Sequence, residues 1–214
     1  MTAEIKMIIF DYDGVIVQTE KYRIRALAKK LNEAGIAYSK HDLSELMGGD
    51  RAMQETVFDY LYSDQPNYWK YREQLINADH ERPELKEIKT EGLDEVLDEL
   101  NEAGVICCVV ANTPEERIRS GLEELEIADR FQYVVSGMDS GHHKPDSYIF
   151  HQAMDRFGIR PEECIIIDDS AIGINAALKT GAKVYALKDE DGIADQSRAH
   201  RIIASLKELM EEIR

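Results

Sequence analysis

Residues 8–20 read IIFDYDGVIVQTE, an apolar run that ends in two aspartates and a glycine before a second apolar stretch. Met7, Ile8, Ile9 and Phe10 form a short apolar run rich in β-branched and aromatic residues, which favours a strand buried on both faces. Gly14 marks where that strand gives way. Asp11 and Asp13, two apart on extended backbone, project to the same side, so both carboxylates converge at the strand's C-terminal end. Like charges that close repel each other, and a bound cation relieves the repulsion.

Downstream of residue 90 the same kind of apolar run recurs as VICCVVA (105–111), YVVS (133–136), CIIID (164–168) and KVYAL (183–187). Helical patterns separate these runs: PEERIRSGLEEL, with Pro114 suited to a first turn; PDSYIFHQAMDRFG, with Pro145 and Asp146 suited to a helix start; and SAIGINAALKTG, ending at Gly181. SLKELMEEI predicts a last amphipathic helix. Alternation of this kind predicts an α/β fold, a doubly wound, mostly parallel sheet of Rossmann-like form. Residues 16–87 break the rhythm, with helical patterns in EKYRIRALAKKLNEAG, AMQETVFDYLY and NYWKYREQLINAD and no convincing strand. The expected organisation is therefore a core of residues 1–15 and 88–214, with an α-helical cap, 16–87, inserted after the first strand.

Composition narrows the function. The 214 residues allow a sizeable core, and a formal charge of −16 opposes binding to nucleic acid or anionic lipid. An anionic substrate must then meet a locally basic site. Cys107, Cys108 and Cys164 sit in or at the start of apolar runs, as small core residues do. Their odd count suits a reducing cytoplasm, and no apolar stretch approaches the length of a membrane helix or a signal core. A cytoplasmic protein without membrane anchor is expected, as monomer or homodimer.

In doubly wound sheets, sites form beyond the carboxyl ends of the strands. There the sequence sets Asp11 and Asp13, then Ala111, Asn112 and Thr113, then Lys144, then Asp168, Asp169 and Ser170. Such a set suits phosphoryl transfer: one carboxylate attacks phosphorus, another handles the proton, a divalent ion shields the anions, and lysine with backbone N–H groups holds the phosphate oxygens. Aspartates at strand ends also cap backbone groups, and Asp168, Asp169 and Ser170 suit a helix N-cap. Capping and metal binding are compatible. Adjacent His142 and His143 point apart in a strand or turn and are assigned to a loop.

DYDGV (11–15), VVANTP (109–114), Lys144 in HHKPD and IIIDDSAIGINAALKTGA (165–182) together resemble the four motifs of the haloacid dehalogenase superfamily, in order over nearly the whole chain. The resemblance is to the branch with a helical cap between the first and second strands, which includes sugar-phosphate and phosphoglycolate phosphatases and β-phosphoglucomutase. It implies Asp11 as nucleophile, Asp13 as general acid and then base, and Lys144 paired with Asp11 and phosphate. It also implies Mg²⁺ held by Asp11, the Asp13 backbone carbonyl, Asp168 and Asp169. The substrate so implied is a small phosphorylated metabolite. A different residue replaces the second aspartate in members that remove halide from carbon, so Asp13 favours phosphorus chemistry.

Two positions depart from the pattern. Ala111 stands where that branch carries Ser or Thr, leaving the Asn112 backbone N–H and Thr113 to contact phosphate; weaker phosphate binding is expected. Arg23 stands where the mutases carry a histidine, which lowers the mutase alternative. Arg51, after two glycines, is the expected cap contact to the distal part of the substrate, with Arg23 a second cap candidate. The remaining alternative is a catalytically silent phosphate-binding or signalling protein.

Overall fold

A computed structural model describes residues 3–47, 51–77 and 83–213. Among them, six strands form one parallel sheet: β1 (Met7–Phe10), β2 (Ile106–Ala111), β3 (Tyr133–Ser136), β4 (Cys164–Asp168), β5 (Lys183–Leu187) and β6 (Arg201–Ile203). Their order is β3-β2-β1-β4-β5-β6. The β1 strand pairs with β2 on one side and β4 on the other, so the order reverses beside it and opens a crevice at its carboxyl end.

Side-chain alternation splits the apolar runs between the two faces of the sheet. Ile8, Phe10, Val109 and Ile167 face one layer, with α5 (Leu93–Glu102) and α6 (Glu115–Glu124). Met7, Ile9, Val110 and Ile166 face the other, with α8 (Tyr148–Phe157) and α9 (Ala171–Leu178). Both faces are covered, which is why the strands read as continuous apolar runs. A short helix, α7 (Gly137–Ser140), follows β3. The three cysteines are buried and free, in the sheet.

Between β1 and β2 the chain builds α1 (Thr19–Ala34), α2 (Lys40–Glu45), α3 (Arg51–Tyr62) and α4 (Tyr68–Ile76). These helices enclose a separate apolar cluster that includes Leu27, Leu31, Leu46, Phe58, Tyr62 and Tyr68. The chain leaves and returns side by side: Gln18 N–H donates to the Ile88 carbonyl at 2.8 Å and Thr90 N–H to the Ile16 carbonyl at 3.0 Å. Gln18 reinforces this junction, its side-chain amide donating to Thr90 Oγ1 at 2.7 Å and to the Gly14 carbonyl at 3.0 Å.

Some elements differ from expectation. The terminal SLKELMEEI segment is a 3₁₀ turn, Leu206–Leu209, followed by a single-turn helix α10 (Met210–Ile213), so it is not one continuous α-helix. Pro114 caps α6 from outside its first turn, and α8 starts at Tyr148, beyond Pro145 and Asp146. The strand β6 and the helices α2, α5 and α7 are additional.

Candidate active site

Three strand ends meet at the crevice. Asp11 follows β1, its N–H bonded to the Ile167 carbonyl at 2.9 Å, and Asp168 closes β4 with Asp169 next in line. Gly14 then turns the chain sharply at φ +92°, a conformation that side chains beyond glycine rarely adopt. A Cβ there would lie 2.0 Å from Asp169 Oδ2, so the absence of a side chain lets the loop lie against that carboxylate.

Lys144 enters from the loop between α7 and α8. Its ammonium donates to Asp11 Oδ1 and to Asp168 Oδ2, each at 2.7 Å, and the residue is only 2% exposed. Asn112 fixes the loop that carries it: the Asn112 Oδ1 accepts the Lys144 N–H at 2.8 Å, and Nδ2 donates to the Lys144 carbonyl at 3.3 Å. Burial opposes the lysine charge, but the two carboxylates outweigh it and hold the Lys144 pKa above its ordinary value.

The acids are not equivalent. Asp168 is already engaged: Oδ2 takes Lys144, while Oδ1 accepts the Ser170 N–H at 3.0 Å and the Ser170 hydroxyl at 2.8 Å. Ser170 in turn caps α9 by accepting the Gly173 N–H at 3.1 Å. Asp169 is buried with Oδ1 lacking a hydrogen-bond partner. Burial, then the nearby Asp168 and Asp11, push the Asp169 carboxyl well above the usual range. Burial pushes Asp11 up to about 8 against the pull of Lys144. Ligand atoms of Asp11, Asp168 and Asp169 lie within 4.8 Å of one another. Three buried carboxylates, one with an unpartnered oxygen, fit a hard divalent cation that prefers oxygen donors.

Asp13 stands apart from this group. Its Oδ1 accepts the Thr19 hydroxyl and its Oδ2 the Thr113 hydroxyl. The Thr113 hydroxyl that the sequence offers to phosphate is therefore directed at Asp13. Ala111 is buried in the core at the end of β2, in register with Ser136.

The helical segment contributes less directly. Arg23 pairs with Glu20 at 2.6 Å and donates to the Leu46 carbonyl at 2.5 Å and to Gln54 at 3.5 Å, bracing α1 against the end of α2 and against α3. Arg51 opens α3, and its side chain lies outside the described residues. His142 is a loop residue, its Nδ1 3.0 Å from Asp146 Oδ2.

Several contacts of the site are not legible in the sequence. Thr19, at the start of α1, reads as an ordinary helix-entry residue. Ser170 was legible as a cap, but its grip on Asp168 was not. Gln196 donates to the Asp169 carbonyl at 2.8 Å from 27 positions downstream, with no local pattern to mark it.

An acid cluster at the switch point of a six-stranded parallel sheet, with a buried lysine between its members, suits phosphate or related group transfer. The haloacid dehalogenase-like hydrolase family matches residues 8–187, and the chain belongs to that family. The phosphoglycolate phosphatase of Aquifex aeolicus is 27% identical over 184 residues, covering 83% of this chain and 82% of that protein. The phosphorylated carbohydrates phosphatase of Thermotoga maritima is 24% identical over 216 residues, covering 95% and 99%. The crystal structure of β-phosphoglucomutase from Clostridium difficile has the same fold, with a TM-score of 0.70 at 20% identity, covering 98% of this chain and 97% of that one. Among the described residues no helix is long and apolar enough to cross a membrane.

Proposed function

We propose that this hydrolase is a Mg²⁺-dependent phosphatase that removes phosphate from a small phosphorylated metabolite, a sugar phosphate or similar, through an aspartyl-phosphate on Asp11. The observation that carries this reading is the buried Asp11–Lys144–Asp168 triad beside the unpartnered Asp169 oxygen. The phosphatase names of the two sequence relatives support the same chemistry.

Asp11 presents its carboxylate at the end of β1, and Lys144 holds one of its oxygens in place, leaving the other to attack phosphorus. The P–O bond to the leaving group breaks as the Asp11–phosphorus bond forms. Asp13 gives its proton to the departing oxygen, then takes one from the water that attacks phosphorus and releases Asp11. Lys144 and the Asn112 backbone N–H meet the phosphate oxygens. Asp11, Asp168, Asp169 and the Asp13 backbone carbonyl would hold Mg²⁺, and Asp168 also pairs with Lys144 and Ser170. When bound, the ion supplies the positive charge that lets an anionic substrate approach three acids. Residues 16–87 act as a cap that excludes water and reads the rest of the substrate.

Phosphate release from a panel of sugar phosphates, phosphoglycolate, nucleotides and an aryl phosphate, with and without Mg²⁺, tests the reading. Mg²⁺-dependent turnover is expected, falling by at least about 10³-fold in Asp11→Asn, since loss of the nucleophile removes the covalent route. Turnover independent of Mg²⁺, or retained by Asp11→Asn, would overturn it. Phosphate appearing at another position of a sugar instead of in solution would establish a mutase.

A further inference from the structure

The segment joining β5 to β6 makes contact with the site at one end and with the helices at the other. Gln196 is 7% exposed, and its side-chain amide is fully used. It donates to the Asp169 carbonyl at 2.8 Å and the Leu187 carbonyl at 2.7 Å, and accepts the Asp189 N–H at 3.1 Å. One amide thus fastens the residue after β4 to the end of β5 and to the first turn of the loop.

Asp189 folds that loop around its own carboxylate, accepting the N–H groups of Asp191, Ile193 and Ala194 at 2.9, 2.6 and 2.8 Å. The far end of the loop reaches the helical segment. Arg25 of α1 grips the Asp191 carboxylate with two bonds, 2.9 and 2.8 Å, and Lys40 of α2 donates to the Asp191 carbonyl at 2.8 Å. Ile193 and Ala194 pack against the apolar cluster of α1–α4.

We propose that Gln196 is a positioning residue for Asp169, and that residues 189–196 form a strap through which the helical segment steadies the metal-facing acid. This rests on the reading of Asp169 as a Mg²⁺ ligand. Asp169 lies beside Asp11 and Asp168, with ligand atoms of the three within 4.8 Å of one another, so the direction in which its carboxylate projects decides whether they converge. A hydrogen bond to its own carbonyl fixes the backbone from which the carboxylate projects. The strap makes that hydrogen bond depend on the seating of α1 and α2, because Asp191 and Gln196 belong to the same wrapped turn.

The test is Mg²⁺ binding by calorimetry on the full-length protein, followed by turnover as a function of Mg²⁺. Gln196→Met keeps the length of the side chain and removes its amide; it is expected to weaken Mg²⁺ binding by about 10-fold, the usual scale for a group behind a metal ligand. Turnover should then return to within about twofold of wild type when Mg²⁺ is raised, because what is lost is affinity for the ion. A structural defect alone would leave turnover depressed at every Mg²⁺ concentration, and that result would overturn the proposal, as would unchanged Mg²⁺ affinity. Should Gln196→Met not fold, Arg25→Gln at the exposed end of the strap decides the question. It should weaken Mg²⁺ binding by about two- to threefold, less than a change directly behind the ligand, and unchanged affinity would overturn the strap. Wild-type protein that binds no Mg²⁺ in the same titration would refute the metal reading itself, a result distinct from either variant outcome.

Discussion

Two threonine hydroxyls on one carboxylate give Asp13 an orientation that neither aspartate spacing nor motif order specifies. Thr19 and Thr113 both donate to it, one to each oxygen, so together they fix the rotation of the carboxylate that the proposed mechanism uses as general acid. Removing one hydroxyl should damage proton transfer more than phosphate binding. Thr113→Val is expected to lower kcat/KM by about 10-fold on an alkyl phosphate, where the leaving oxygen needs a proton, and by less than about threefold on a nitrophenyl phosphate, whose leaving group does not. The ratio kcat/KM reports steps up to the phosphoryl transfer, so later hydrolysis does not blur the comparison. Thr113→Ser should restore the alkyl rate. Equal losses on both substrates would instead assign Thr113 to the phosphate. The sequence carried Asp11, Asp13, Lys144 and the acids at 168–169 because each follows a strand or stands in a recognisable order. It did not carry the direction of the Thr113 hydroxyl, since a side chain at a strand-end turn can face either neighbour and only the packed geometry selects one.

At the scale of elements, the β1–α1 turn carries much of the site. Gly14 is where backbone and carboxylate compete for the same volume: a methyl group would sit 2.0 Å from Asp169 Oδ2, on a backbone already at φ +92°. Gly14→Ala is expected to cost about 1–3 kcal/mol of stability from the backbone alone and to weaken Mg²⁺ binding by displacing Asp169. Chemical denaturation and a Mg²⁺ titration check the two effects separately, and unaltered Mg²⁺ affinity in a folded variant would contradict the close packing. The strands β3, β4 and β5 coincide with their apolar runs because both faces of the sheet are covered and leave an unbroken apolar signature. The strand β6 left no such mark: it is three residues long, at the sheet edge, and Ile202 is 48% exposed. Ser39 and Asp42 form the capping box of α2, so its signal was present in the sequence but opened only six helical residues. The terminal segment kept its apolar spacing, yet Leu206–Leu209 wound as 3₁₀, a form that a 3.6-residue pattern does not distinguish over one turn.

Over the whole molecule, the buried acids couple stability to pH. Asp11 is pushed up to about 8 and Asp169 well above the usual range, chiefly by burial, whereas an unfolded aspartate titrates near 3.8. The sign follows from proton counting. Below pH about 4 both states keep these protons; as pH rises towards 8 the unfolded chain releases them while the folded metal-free protein still holds them, and stability from this site is lost. Paired acids such as Glu163, lowered to about 2 by hydrogen bonds from Arg160 and Lys6, act in the opposite sense and only in strong acid. Metal-free protein should therefore lose Tm between pH 5 and pH 8 through this site. On the proposed reading Mg²⁺ takes the ionised carboxylates and displaces their protons, so its apparent affinity should rise over the same interval. At fixed Mg²⁺ the metal-induced increase in Tm is thus expected to be larger at pH 8 than at pH 6, scaling with the logarithm of ion concentration over Kd. Asp169→Asn should remove most of that increase at both pH values, because it takes away the negative charge and one of the two carboxylate oxygens while leaving the Lys144 pairs with Asp11 and Asp168 in place. A Mg²⁺-induced shift of equal size at pH 6 and pH 8 in the wild-type protein would mean that the ion binds away from these carboxylates, and the acid cluster would then be a proton store in the fold instead of its metal site.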